Sequence, residues 1–365
     1  LIIKKKLTYP EGIATSKILK SRENLELGKI ILQSSLLGGL FKFLQQGLNL
    51  WKPSIEYIFR SNKSIFGFAC DLSPALLGVG YIIGLNVGIL ILSGGIVSWL
   101  IAIPLYTAFN DMQGNVNYIA WDIWNTKIRF LGVGAMLIGG FWSILKLFKP
   151  IIEGIILDIK DYKKNINTED LSIKFISCIL AIIIIPLFLM YFNILNSFSF
   201  SIVLTLLIIV IAFFFSSVAA YMSGIVGSSN NPVSGITIAT ILLSALFIKY
   251  IGFQSEIGMI SSILFGAIVC CSAAIGGDNM QDLKTGYIIG ATPWKQQIMQ
   301  IIGVTVSAIT ITFTLNVLHS AYTIGSEILP APQANLMKVI VEAVFNKNLP
   351  WNWIYTGVII GFIII

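Results

Sequence analysis

With 365 residues, 56% hydrophobic and only 11% charged, the chain lacks the roughly 25% of charged residues with which a soluble domain clothes its surface. A mean hydropathy of +0.86 makes the bilayer its solvent, and apolar windows of about 20 residues, the length of a membrane span, recur throughout. The net charge of +7 does not indicate nucleic acid, because Lys and Arg collect in a few loops as the positive-inside bias requires.

In chain order, the opening segment through Lys29 is basic, with Lys4-Lys5-Lys6. It holds Tyr9-Pro10-Glu11-Gly12, a turn signal ahead of a helix start rich in small residues. A first span covers 30–50, with Lys42 inside it, and a short polar loop covers 51–63. The apolar tract 66–106 is too long for one span of about 20 residues. It breaks near Gly84-Leu85-Asn86-Val87-Gly88. Its first element begins at Asp71-Leu72-Ser73-Pro74, with Asp71 as a cap and Pro just inside the helix. The second holds Gly94, Gly95 and Ser98, small residues that let helices approach closely in lipid. The loop 107–126 carries Asp111 and Asp122, with Trp121 and Trp124 suited to an interface. Spans follow over 128–147, 175–192, 199–221, 236–252, 257–275 and 299–320, with a partial one from Trp353. Together these predict an all-α fold: a polytopic transmembrane helical bundle of about nine spans of ordinary length, with interrupted or re-entrant helices.

Charge sets the topology. Residues 1–29, 146–174, 222–235 and 277–298 hold 15 of the 24 basic residues. That side is expected to be cytoplasmic, with 146–174 as a cytoplasmic polar loop. The chain starts at Leu1 and stops at Ile365 within an apolar run from Val358. The expectation is one integral membrane domain over 1–365, incomplete at both ends and placed as a multi-pass protein in the cell membrane.

Two polar segments interrupt the greasy sequence. They are Ser229-Asn230-Asn231-Pro232-Val233-Ser234-Gly235 and Gly276-Gly277-Asp278-Asn279-Met280-Gln281-Asp282-Leu283-Lys284-Thr285-Gly286. Irregular backbone at membrane depth persists only where it is buried in protein or lines a wet cavity. Pro232 removes a donor and disfavours helix at Asn231, and freed donors at the next helix start would attract a carboxylate. An ordinary interhelical turn is the alternative. Asp278 and Asp282 share a face if helical, and buried together one could carry a proton. The alternative is a solvated loop, and Lys284 could neutralise either carboxylate. Tyr9 and Glu11 could line an access path, though a juxtamembrane turn would use them too. Phe213, Phe214 and Phe215 read as lipid-facing or packing residues. His319 reads as a packed or interfacial side chain. The cysteines Cys70, Cys178, Cys270 and Cys271 show neither metal-type spacing nor a disulfide framework. No metal site, catalytic set or cofactor is expected.

Several of these stretches resemble the oligopeptide transporter family, which includes the yellow-stripe-like metal-chelate carriers. The matching pieces are Leu7-Thr8-Tyr9-Pro10-Glu11-Gly12-Ile13-Ala14, Ser73-Pro74-Ala75-Leu76-Leu77-Gly78-Val79-Gly80-Tyr81, Asn231-Pro232-Val233-Ser234-Gly235 and Asp278 through Tyr287, continued by Ala291-Thr292-Pro293-Trp294-Lys295-Gln296-Gln297. The resemblance implies a secondary transporter moving peptides or peptide-like metal chelates inward with protons. The substrate-contacting candidates are Asn230, Asn231, Pro232, Ser234, Gly235, Asn279, Gln281 and Tyr287. Asp278, Asp282 and Lys284 are the proton-coupling candidates, and Tyr9 and Glu11 flank the access path. Expected partners are lipid, the small peptide or chelate, and protons, with a homo-oligomer left open. A membrane-embedded enzyme using Asp278 and Asp282 on a lipid-linked substrate is the competing reading, with a non-transporting fragment or passive channel as a third.

Overall fold

The computed structural model describes residues 1–3, 5–20, 25–110, 112–163, 170–253, 256–326, 329, 331–346 and 350–365. Lys4, Asp111 and positions 164–169 of the expected polar loop lie outside the described residues. The chain divides into two compact units, one of residues 1–12 and 136–349, the other of 13–135 and 350–365.

α1 (Pro10–Lys20) begins in the first unit and from Ile13 belongs to the second, where α2 (Leu25–Lys42) follows and passes into a π-helical turn over Phe43–Gly47. Next comes an antiparallel hairpin, β1 (Ser54–Ser61) and β2 (Ser64–Asp71), paired from Ser54 with Asp71 to Ser61 with Ser64. Asn62 turns the chain at φ 54°. The hairpin corrects the sequence reading, which placed a loop over 51–63 and started an apolar tract at Phe66. The alternation in Ser54–Ser61 and the Asn62-Lys63 turn were the available signals. Asp71 is correspondingly the last strand residue, and Ser73 takes the N-cap position of α3 (Pro74–Ile83). The expected break holds: Gly84, at φ 88°, separates α3 from α4 (Leu85–Ile96), a conformation that favours glycine. The chain then runs through a π-helical segment (Val97–Ala102) into α5 (Ile103–Phe109). The expected loop 107–126 instead contains α6 (Val116–Ile123), capped by the Asn115 side chain accepting the Asn117 N–H at 3.0 Å. Ile65, Ile103, Ile119, Ala120, Ile123 and Ile128 form this unit's core. α7 (Arg129–Lys163) starts in this unit, belongs to the first from Met136, and continues as helix through positions 146–163, where a loop was expected. α14 (Trp351–Ile364) lies against its start, where Gly134 and Gly357 leave room for close backbone contact.

The first unit holds α8 (Ile173–Leu195), α9 (Phe198–Val226), α10 (Val233–Tyr250), α11 (Glu256–Ile289), α12 (Pro293–Tyr322) and α13 (Pro332–Phe345). α9 packs against α8 and α11, and α10 lies on α11 and α13. Tyr191, Leu204, Ile208, Phe215, Ile236, Ile248 and Phe265 are among the buried side chains that form its core. α11 is one unbroken helix of 34 residues, so the Gly276–Lys284 stretch is not the helix break that the sequence suggested. Its glycines serve packing instead. A Cβ on Gly277 would lie 2.5 Å from Asn231 Nδ2, and one on Gly276 would collide with Ser216.

Among the described residues, six helical stretches are long and apolar enough to cross a membrane: 85–109, 174–195, 198–226, 233–250, 256–289 and 293–322. The 10-residue α3 is too short, and the 18-residue α2 carries Glu26, Lys29 and Lys42. No residue of α12 is buried, and Ile309, Phe313 and Val317 stand open on its surface. Lipid solvates such a face without cost, whereas water would not. The protein is an all-α polytopic membrane protein carrying one small hairpin.

Candidate functional site: a polar junction between the N-terminal segment, α9, α10 and α11

α9 ends at Gly227, whose φ of 85° turns the chain out of the helix while its N–H caps the Ser223 carbonyl at 3.0 Å. Residues 228–232 then cross to α10, with Pro232 at the N-cap. The N-terminal segment docks into this corner. Tyr9 donates its N–H to the Gly224 carbonyl (3.0 Å) and its hydroxyl to the Ala220 carbonyl (3.1 Å). The Thr8 hydroxyl also donates to Gly224 O, at 2.8 Å. Tyr9 is 0% exposed and sits at φ 50°, a left-handed conformation that a bulky residue adopts only where its surroundings enforce it. Gly224 permits the approach, since a Cβ there would lie 2.9 Å from both Leu7 Cβ and the Tyr9 ring. Burial, then the neighbouring Tyr221, push the Tyr9 phenol well above its ordinary range, so it stays a neutral donor.

α11 closes the other side. Gln281, 7% exposed, accepts the Gly12 N–H at 2.8 Å and donates to the Ser223 carbonyl at 2.8 Å. Thr285 Oγ1 lies 3.0 Å from the Gly12 carbonyl, and Lys284 Nζ donates to the Leu7 carbonyl at 3.1 Å. Ser223 Oγ donates to Gly277 O at 3.1 Å, and Asn231 Nδ2 to Ala219 O at 3.0 Å. Gly12 is the third residue of α1, so its N–H has no partner within that helix, and Gln281 supplies one.

Glu11 fills the turn. Its Oε2 accepts the Ser228 N–H (3.0 Å) and hydroxyl (2.6 Å), and its Oε1 accepts the Ser229 N–H (2.9 Å). Partial burial pushes this carboxyl up, but the hydrogen bonds from Ser228 and Ser229 together outweigh it. The group sits below its ordinary 4.5 and is charged at neutral pH.

The structure thus gathers Tyr9, Glu11, Asn231, Gln281 and Lys284 in one place and leaves other candidates outside it. Asp278 and Asp282 are exposed on α11. Asp282 Oδ2 accepts from Gln300 Nε2 of α12 at 2.6 Å, and the Asn279 carbonyl from the same amide at 3.4 Å. Pro232 and Ser234 are exposed, Gly235 is buried where an added Cβ would lie 3.5 Å from Met136 Cβ, and Tyr287 is 58% exposed. Lys284 points to the N-terminal segment, 6.0 Å from the Tyr287 ring centre. Asn230 Nδ2 and Asn231 Oδ1 are buried polar atoms without a hydrogen-bond partner. His319 is exposed near the end of α12, with Nδ1 accepting the Ile324 N–H at 3.3 Å. Sequence reasoning gave no site role to Thr8, Ser223, Gly224, Ser228 or Thr285. The seven-residue spacing of Ser216 and Ser223, which face Gly276 and Gly277, was the one signal that could have found part of this set.

The segments that charge counting put on one side also meet. Residues 7–12 contact 220–229 and 281–285, and Gln297 accepts the Leu171 N–H and donates to Asp170, both at 2.9 Å.

A family model described as OPT oligopeptide transporter protein matches residues 1–365. A Haemophilus influenzae protein, named as a candidate oligopeptide transporter, is 36% identical over 403 residues, covering 100% of this chain and 64% of its own. A rice protein named as a candidate metal-nicotianamine transporter, YSL9, is 22% identical over 354 residues, covering 89% of this chain and 50% of its own. A Saccharomyces cerevisiae protein named as a candidate oligopeptide transporter is 34% identical over 134 residues, covering 36% of this chain and 18% of its own. The chain therefore spans less than two thirds of the length of these relatives. No solved structure matches.

Proposed function

The chain belongs to the oligopeptide transporter family, and on that premise we propose that it serves in a proton-coupled symporter carrying oligopeptides or peptide-like metal chelates across the cell membrane. Members of the family are transporters, which displaces the membrane-enzyme reading. The relatives' names divide the substrate class: the bacterial one points to oligopeptides, the rice one to metal–nicotianamine.

The observation that carries this reading is the pair of unmet polar atoms, Asn230 Nδ2 and Asn231 Oδ1, at a bent turn between two apolar helices. Native interiors leave few such atoms open, and transporters use broken helices of this kind to hold substrate. A peptide group offers the acceptor and the donor that they lack. In this reading Asn230, Asn231 and Gln281 hold substrate from within the junction. Pro232, Ser234, Gly235, Asn279 and Tyr287 frame it, and Tyr9 and Glu11 border its mouth. Asp278 and Asp282 carry the proton on the exposed face of α11, while Lys284 is engaged with the Leu7 carbonyl. Residues 146–174 belong to the cytoplasmic side.

The test is uptake of trialanine and of ferrous nicotianamine by the complete transporter in proteoliposomes. Accumulation above equilibrium that follows an inward proton gradient and collapses with a protonophore supports the reading. Uptake indifferent to the gradient refutes the coupling.

A further inference from the structure

The 228–229 cradle already contains a carboxylate, and that carboxylate is the chain's own. Two N–H groups and one hydroxyl converge on both Glu11 oxygens at 2.6–3.0 Å. Gly227 shapes the cradle twice over, by its φ of 85° and because a Cβ there would lie 2.9 Å from Glu11 Oε1. Successive main-chain donors in such a turn form an anion-binding concavity, and charge-assisted bonds of this length are the strong kind. The same bonds pin the N-terminal segment, which is held elsewhere by single neutral hydrogen bonds and by Lys284.

We propose that Glu11 is an internal competitor for the substrate's carboxylate. It closes the cradle when no substrate is bound, and the carboxylate of a peptide or amino-acid chelate takes its place and releases residues 7–12. The substrate class rests on the transport reading above. The cradle has donors for one carboxylate, and two anions crowded there repel, so occupancy is exclusive. Release also frees Tyr9 from its left-handed conformation, which favours the exchange once Glu11 lets go. Substrate binding thereby couples to movement of a segment that bridges α9 and α11.

The experiment uses the complete transporter in nanodiscs, with trialanine as probe and trialaninamide, which lacks the carboxylate, as control. Trialanine is expected to speed amide exchange at Tyr9 and Gly12 by about tenfold or more, and trialaninamide to leave it unchanged. Glu11→Gln weakens the competitor, so it should bind trialanine about tenfold tighter and show fast exchange over residues 7–12 without peptide. Bound trialanine with Tyr9 and Gly12 still protected overturns the proposal, as does equal affinity for the peptide and its amide. Trialanine binding that appears only in Glu11→Gln supports it, and binding by neither protein overturns it. If Glu11→Gln does not fold, exchange in the wild-type protein decides alone. Displacement of Glu11 without net accumulation in proteoliposomes leaves this inference standing and removes the transport reading.

Discussion

Replacing Gln281 with leucine is expected to open the N-terminal segment without unfolding the bundle. Leucine keeps nearly the same volume, so the packing change is small. What is lost is polar. The Gly12 N–H loses its one acceptor, at 2.8 Å, and an orphaned buried donor costs about 1–3 kcal/mol. The Ser223 carbonyl loses the Gln281 amide but keeps the Gly227 N–H at 3.0 Å, so that bond adds only about 0.5–1.5 kcal/mol. Hydrogen bonds within membrane proteins average near the low end, about 0.6 kcal/mol, which places the sum near 2 kcal/mol. At about 1.4 kcal/mol per tenfold, that is roughly a 30-fold increase in the opening equilibrium. Hydrogen exchange of residues 7–12 in nanodiscs measures it directly. Acceleration of less than about threefold would show that Gln281 does not hold the segment, and the junction as described would be wrong.

Four further outcomes are expected. Gly277→Ala, whose Cβ would lie 2.5 Å from Asn231 Nδ2, should destabilise by about 1–3 kcal/mol in thermal melts. Gly303→Ala on α12, where a Cβ meets nothing within 4 Å, should be neutral or gain up to about 1 kcal/mol of helix propensity. Asp282→Asn should abolish proton-driven accumulation while membrane insertion stays intact, and unchanged accumulation would remove Asp282 as proton carrier. The Glu11 carboxyl is lower folded than unfolded, so its contribution is complete above its ordinary 4.5 and fades as pH falls through the lower folded value. Exchange of residues 7–12, corrected for intrinsic rates, should therefore be flat from pH 5.5 to 8 and rise only under acid, a profile that Glu11→Gln should erase.

The spans were legible because hydrocarbon thickness imposes a length on them, and Gly84 was legible because a helix seldom continues through such a glycine-rich break. The hairpin was hidden because Phe66 and Phe68 read as the start of the next apolar tract. The unbroken course of α11 was hidden because Gly276-Gly277-Asp278 looks like a breaker in water, whereas here Ser216, Ser223 and Asn231 pack where side chains would stand. Within the site, Asn231 and Gln281 were found by their polarity in an apolar setting. That same polarity drew attention to Asp278 and Asp282, which point outward. Glu11 was noticed but its partner was not, because Ser228 is 217 residues away along the chain and no local pattern encodes such a contact.

The most direct test of the docked N-terminal segment as the moving part is to lock it in place. An ideal Cβ on Gly224 lies 2.9 Å from Leu7 Cβ, and a disulfide needs about 3.5–4.5 Å, so Leu7→Cys with Gly224→Cys needs only a small adjustment. With the native cysteines replaced, the oxidised double variant of the complete transporter should stop uptake and regain it on reduction. Uptake at the unlocked rate by the fully oxidised protein would contradict the account.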